Sequence, residues 1–141
     1  MALLSEQDAR EIRQQLQALA NPVTLVHFTQ ELGLEYGRET KLLLEELAGL
    51  SDKLSLEVYN FLLDKDNAAA YRVDKVPATV IRSAKDCGIR FYGLPSGYEF
   101  VNLLDALLAV SRGDSELSET SREKLKALSQ PIHLEVFVSP T

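Results

Sequence analysis

Cysteine is almost absent from this chain: Cys87 stands alone among 141 residues. One thiol excludes an internal disulfide framework, a CxxC redox pair and a cysteine-rich zinc site. Long apolar runs are missing too. None approaches the roughly 20 residues needed to span a bilayer, and no membrane partner is expected. The opening Met1-Ala2-Leu3-Leu4-Ser5 turns polar at once and does not read as a signal peptide, so the chain is read as cytoplasmic. Positive charge is in short supply. Fifteen Lys and Arg face 21 Asp and Glu, a formal net charge of −6, and the basic residues are spread along the chain. Nothing forms the patch that phosphate backbones require, which argues against nucleic acid as a partner. Gly93-Leu94-Pro95-Ser96-Gly97 lacks the Gly-Lys-Ser/Thr ending of a phosphate loop and reads as a turn cluster.

What is present suits one compact domain. The chain is 45% hydrophobic and long enough to bury a core. Ser5 and Asp8 approximate a capping box, after which Ala9, Ile12, Leu16 and Leu19 recur at helical spacing. Asn21-Pro22 is expected to stop that helix, because proline disfavours helical geometry in the residue before it. Residues 23–28 read as a buried strand and residues 29–37 as a loop carrying Gly33 and Gly37. Residues 38–50 read as a helix with Leu42, Leu43, Leu47 and Leu50 inward. Alternation of Leu54, Leu56 and Val58 predicts a second strand over 54–61. A short alanine-rich helical turn (66–71) and strands at 78–82 and 89–92 follow. A helix over 98–111 then turns Phe100, Leu103, Leu104, Leu107 and Leu108 inward, and Gly113 is placed to cap it.

After a polar stretch (114–117) the pattern restarts. Leu4-Ser5-Glu6 is echoed by Leu117-Ser118-Glu119. The run from Ala18-Leu19 through Pro22-Val23 and Leu25 to Phe28 is echoed by Ala127-Leu128, Pro131-Ile132, Leu134 and Phe137. Both copies run cap, helix, proline, strand, and self-similarity at a fixed offset signals duplicated architecture. The reading is therefore one complete unit (1–113) plus a linker, helix and strand (114–141) that open a second. Because the pattern stops at Ser139-Pro140-Thr141, we expect a piece of a longer tandem protein. Ile132, Leu134, Val136 and Val138 share one face of the final strand, with His133 and Glu135 on the other. That half-buried pattern predicts self-association, with a homodimer through this strand as its form, since an unpaired strand edge is a template for a neighbour.

The element order is that of an α/β, thioredoxin-like fold, with a central mixed sheet flanked by helices. Two segments sharpen this. Val73-Asp74-Lys75-Val76-Pro77-Ala78-Thr79-Val80-Ile81 resembles the thioredoxin-family stretch in which a short helix ends, a cis-proline follows and a central strand begins. Ile89-Arg90-Phe91-Tyr92-Gly93-Leu94-Pro95-Ser96-Gly97-Tyr98-Glu99-Phe100 resembles the hairpin strand and last helix of the first unit of the two-unit, glutaredoxin-like protein disulfide oxidoreductases of archaea and thermophilic bacteria. The terminal Val136-Phe137-Val138-Ser139-Pro140-Thr141 is similar as well. A related tandem module opens the flavoenzymes that feed peroxiredoxins, and there too the first unit lacks its cysteines.

Dithiol exchange needs a nucleophilic thiolate and a resolving thiol at a helix start, where the dipole lowers the first pKa. The resemblance puts these positions at Leu34 and Gly37, so the motif reads Leu34-Glu35-Tyr36-Gly37 with both sulfurs gone. It also implies a groove lined by Tyr36, Val76 and Pro77 that binds an extended peptide by backbone hydrogen bonds. The expected partner is a protein or peptide bearing a disulfide. Catalytic residues, cofactor and metal are all expected to be none. Leu34 reads as an apolar plug and Gly37 as a cap. Cys87 reads as an inert small residue at a hairpin, with no His or Lys cluster near it in sequence. His27 and His133 read as strand histidines satisfied by neighbours, and Glu45-Glu46 and Glu119 with Glu123 as solvated helix faces. The chain is thus expected to be a redox-inactive unit of a disulfide oxidoreductase. The alternatives are a non-catalytic binding or assembly module, the front module of a peroxiredoxin-reducing flavoenzyme, or an enzyme using Cys87.

Overall fold

A computed structural model describes residues 2–139. Met1, Pro140 and Thr141 lie outside the described residues, and the readings of the opening and of the terminal segment fall partly on them.

Helix α1 (Glu6–Leu16) begins at Ser5, whose side chain accepts from the Asp8 N–H at 3.0 Å. Asp8 and Glu6 sit in the first turn, where the helix dipole favours negative charge. The helix ends earlier than Pro22 requires. Gln17 caps it, and tight turns (Ala18 N–H to Gln15 O, 3.1 Å; Leu19 N–H to Leu16 O, 3.1 Å) swing Leu19 into the core. Asn21 is held from elsewhere. Its N–H donates to Ser111 Oγ (2.9 Å), its amide to Ser111 O (2.8 Å), and Ser111 Oγ donates back to Asn21 O (2.8 Å).

Strand β1 (Val23–Thr29) follows, then α2 (Gly37–Ala48), β2 (Leu54–Asn60), α3 (Lys65–Ala70), β3 (Ala78–Arg82), β4 (Asp86–Tyr92) and α4 (Tyr98–Arg112). The sheet order is β2-β1-β3-β4. β1 pairs parallel with β2, from Val23 opposite Leu54 to Thr29 opposite Asn60. It pairs antiparallel with β3, and β3 with β4. Central strands buried on both faces read as near-continuous apolar runs, and β1 does so: Val23, Leu25, Val26 and Phe28 are all inaccessible.

Alternation along β1 divides two cores. Val23 and Leu25 pack with Leu54 and Ile81 beneath α1, α2 and α4. Val26 and Phe28 pack with Ala78, Val80 and Ala68 of α3, and Tyr59 stacks on Phe28 at 5.5 Å. In α2 the buried stripe is Thr40, Leu43, Leu44 and Leu47. The expected set contained Leu42 and omitted Leu44, while Leu50, just past the helix end, is partly buried against the core as expected. Three consecutive leucines hide the phase, and the i, i+3, i+4, i+7 row starting at Thr40 resolves it. In β2, Val58 is more exposed than the alternation implied, as β2 is an edge strand. Gly113 closes α4 in the left-handed conformation (φ 71) that glycine adopts at least cost.

The echoed segment divides. Its helix, α5 (Glu119–Lys126), forms, and Ser118 accepts from the Ser121 N–H at 3.2 Å much as Ser5 does for α1. No residue of α5 is buried. The expected strand over 131–138 does not form within this chain. The stretch has no secondary structure, pairs with no strand of the sheet and is exposed throughout. Alternation alone does not make a strand: the backbone needs a partner for its ladder.

Candidate functional site

β1 runs out at Thr29, and the chain loops through residues 30–36 before α2 begins. Its β3 neighbour starts at Ala78, opposite Phe28. The topology therefore brings the 30–36 loop and the Val76–Pro77 segment to one end of the sheet. The Val76–Pro77 peptide bond is cis. Pro77 is buried, Val76 half-buried, and Pro77 O accepts from the Gly93 N–H at 2.9 Å, fastening the segment to the end of β4. Among the described residues the Val76 N–H and C=O make no hydrogen bond.

The loop turns twice through left-handed backbone, at Gly33 (φ 70) and at Tyr36 (φ 59). Left-handed geometry is uncommon for a residue with a side chain. Here it is held by Thr40, whose N–H (2.9 Å) and Oγ1 (2.6 Å) both donate to Tyr36 O. Tyr36 is the N-cap of α2 and supplies no side-chain cap, so the first-turn amides are not capped by it. Its ring is about half exposed. No ring contact or hydrogen bond joins Tyr36 to Val76 or Pro77 among the described residues.

Leu34 and Gly37 are brought together. A Cβ built on Gly37 would lie 3.3 Å from Leu34 Cβ, 2.9 Å from its Cγ and 2.6 Å from its Cδ2. Those last two separations are too short for real atoms, so the leucine side chain occupies the space a side chain at 37 would need. Gly37 is buried beneath it. Glycine at 37 leaves room for the Leu34 side chain. Gly37 is the first residue of α2 rather than its cap, a role that falls to Tyr36.

His27, on the β1 face covered by α2, is fully buried. Its Nδ1 lies 3.1 Å from Ala78 O and 3.2 Å from Thr79 Oγ1. Nε2 has no partner among the described residues, so the reading of a satisfied histidine holds for one nitrogen only. Donation from Nδ1–H to the Ala78 carbonyl fixes the neutral tautomer and leaves Nε2 a bare acceptor. Burial is the main influence on its pKa and pushes it down to about 4, against the raising effect of the Ala78 bond; Lys41 lowers it further.

The remaining candidates are dispersed. Cys87 is exposed and lies within β4 rather than in the turn before it. His133 is exposed and not in a strand; its Nε2 is 2.9 Å from Glu135 Oε1. Glu46 is not merely solvated. Its carboxylate accepts from the Leu3 (2.6 Å) and Leu4 (2.9 Å) N–H groups and anchors the segment before α1. A groove of about 470 Å³ lined by Asn21, Pro22, Ser83 and Val110 lies at the opposite end of the sheet. Among the described residues no cluster of three or more His, Cys, Asp or Glu could hold a metal, and no helix is long and apolar enough to cross a membrane.

No family model matches the sequence. The chain is similar to the F subunit of the alkyl hydroperoxide reductase of Staphylococcus epidermidis, at 31% identity over 134 residues, which is 93% of this chain and 24% of that protein. In structure it is similar to a protein disulfide oxidoreductase from Aeropyrum pernix, with a TM-score of 0.81, 29% identity, and coverage of 91% of this chain and 56% of that one. It is also similar to the NTD N/C domain of alkylhydroperoxide reductase AhpF from Enterococcus faecalis, with a TM-score of 0.79 and 26% identity over 90% of this chain and 62% of that one. The fold is thioredoxin-like, and the chain is a redox-related thioredoxin-fold module by likeness to these proteins. It spans about a quarter of the length of the curated relatives it matches.

Proposed function

We propose that this chain is a redox-inactive thioredoxin-fold unit of a protein disulfide oxidoreductase, which holds a disulfide-bearing protein or peptide while another unit carries out the exchange. The observation that carries the proposal is the pair Leu34 and Gly37. They sit where β1 hands over to α2, side by side at a helix start, and neither has sulfur. Exchange proceeds by thiolate attack on a disulfide through a mixed disulfide, and a second thiol resolves it. A leucine methyl cannot attack, glycine cannot resolve, and Cys87 lies in β4 without a second cysteine in the chain. The proposed peptide site is the Val76–Pro77 segment, with Tyr36 on the loop at the same end of the sheet. Val76 presents a backbone donor and acceptor that the described residues leave unpaired, suited to pairing with an extended chain.

The test is dithiothreitol-driven insulin reduction. The unaltered chain should not exceed background; acceleration that survives Cys87→Ser would sink the proposal. Leu34→Cys with Gly37→Cys should form a disulfide, because the 3.3 Å between the two Cβ positions is within a few tenths of an ångström of disulfide spacing. The double variant should then reduce insulin.

A second reading makes the chain the front module of a peroxiredoxin-reducing flavoenzyme, and the sequence likeness to the F subunit of alkyl hydroperoxide reductase favours it. Reading the parent gene beyond Thr141 separates the two. A dithiol motif followed by flavin-binding sequence supports the flavoenzyme; a dithiol motif with nothing further supports the oxidoreductase.

A further inference from the structure

We infer, on the reading of Val76–Pro77 as a peptide site, that His27 is its positioning residue: from the buried face of β1 its imidazole holds Ala78 and so sets how the Val76 backbone is presented. Val76, Pro77 and Ala78 are consecutive. A constraint on Ala78 therefore reaches Val76 through a single residue, whose ring locks its own φ.

Three contacts fasten this stretch. At the surface, the Lys75 ammonium lies 4.7 Å from the centre of the Tyr92 ring. At the end of β4, the Gly93 N–H donates to Pro77 O at 2.9 Å. In the interior, His27 Nδ1 lies 3.1 Å from Ala78 O and 3.2 Å from Thr79 Oγ1. His27, Ala78 and Thr79 are all inaccessible to solvent. A hydrogen bond sealed from water has no solvent competitor, so the interior contact constrains the backbone most.

That contact exists in one protonation state. A carbonyl only accepts, so Nδ1 carries the proton and Nε2 is bare. A second proton, at Nε2, would make a buried N–H without a partner. The surroundings oppose it from every side. The strand neighbours of His27 are Val58 and Thr79, which carry no charge. Helices α1 and α4 turn Ile12, Leu16, Leu103, Leu104 and Leu107 to this face of the sheet. The charge that acts on the ring from α2 is that of Lys41, of the same sign. Charging the ring therefore requires it to withdraw, and withdrawal releases Ala78.

The full chain, labelled with nitrogen-15, tests this with insulin as the probe. His27→Leu removes the donor and keeps an apolar side chain. His27→Asn keeps a donor, since its amide nitrogen stands as many bonds from the backbone as Nδ1. The Val76 and Ala78 amide signals should shift in His27→Leu and stay near their original positions in His27→Asn. Insulin binding, followed on the same signals, should weaken about tenfold in His27→Leu, the worth of one buried hydrogen bond, and less than about twofold in His27→Asn. A residue that only fills space would rank the two variants the other way, because asparagine leaves the larger void. The unaltered chain supplies a second measure. On acidification its Val76 and Ala78 amides should move together with the His27 ring signals, at one midpoint near pH 4. A Val76 amide unmoved in His27→Leu, or amides that hold still while the ring titrates, overturns the inference. A chain that leaves insulin unbound while its Val76 amide still follows His27 sinks the peptide site and not the coupling.

Discussion

The two helix–proline–strand segments of this chain start from nearly the same pattern and end in different structures. In the first, Ser5 caps α1, Pro22 precedes β1, and Leu25 and Phe28 disappear into the two cores. In the second, Ser118 caps α5, Pro131 follows, and Leu134 and Phe137 stand 85% and 90% exposed. The caps behave alike because capping is local: a serine oxygen reaches an amide three residues on in both places. The strands differ because a strand is not local. β1 lies between β2 and β3, which accept and donate along its length; residues 131–138 have no such neighbours in the sheet.

The largest expected break in the comparison is at the echoed phenylalanines. Phe28→Ala removes a fully buried ring that stacks on Tyr59 and meets Tyr71 edge-on. It should cost about 3–5 kcal/mol of stability in urea unfolding. Phe137→Ala should change monomer stability by no more than about 0.5 kcal/mol. Equal losses would mean that the second segment is packed after all.

The echoed histidines come next. The unfolded chain takes up a proton on His27 as pH falls below about 6.5, whereas the folded chain resists until about pH 4. Stability is therefore full above pH 6.5 and falls on acidification through that window, by about 3 kcal/mol from this group. His27→Gln should flatten the slope of unfolding free energy between pH 7 and pH 4, and His133→Gln should leave it steep. The reverse ranking would show that the desolvated histidine is not the one on β1.

The smallest effect is at the two caps. Ser5→Ala should cost about 1 kcal/mol, because α1 carries Ile12 and Leu16 into the core and fraying releases them. Ser118→Ala should lower the helicity of residues 119–126 by circular dichroism and leave the unfolding midpoint unchanged, since α5 buries nothing. A shifted midpoint would place α5 within the cooperative unit.

Much of residues 5–113 was legible in order and type. Helical spacing marked α1, α2 and α4, and the run at 78–82 coincides with β3. The misses have physical causes. The three leucines at 42–44 offer no contrast, so the inward row of α2 could not be phased without knowing that the helix starts at Gly37. Helix α1 ends at Leu16 because Leu19 and Asn21 have places to reach, in the core and on Ser111, which no local signal announces. In the candidate site it was the family resemblance, not the hydrophobic pattern, that pointed to Leu34, Tyr36, Gly37, Val76 and Pro77. The half-satisfied state of His27 was not visible, because a lone polar residue in an apolar strand looks the same whether one nitrogen is bonded or two. Glu46 was hidden for a similar reason: a carboxylate on a helix looks solvated until a distant backbone is found at its oxygens.

By itself the sequence determined the elements that rest on neighbours a few residues away: the serine caps, the helical stripes of α1 and α4, the glycine at the end of α4, and a chain with a single thiol. Tertiary structure decided the rest. It drew Asn21 to Ser111, buried His27 with one nitrogen bare, and made a strand of residues 23–29 but not of 131–138. The physical reason is range. Caps and helical hydrogen bonds close within one turn of chain, whereas a strand, a buried polar group and an inter-helix contact are completed by residues that the sequence places far away and only folding brings near.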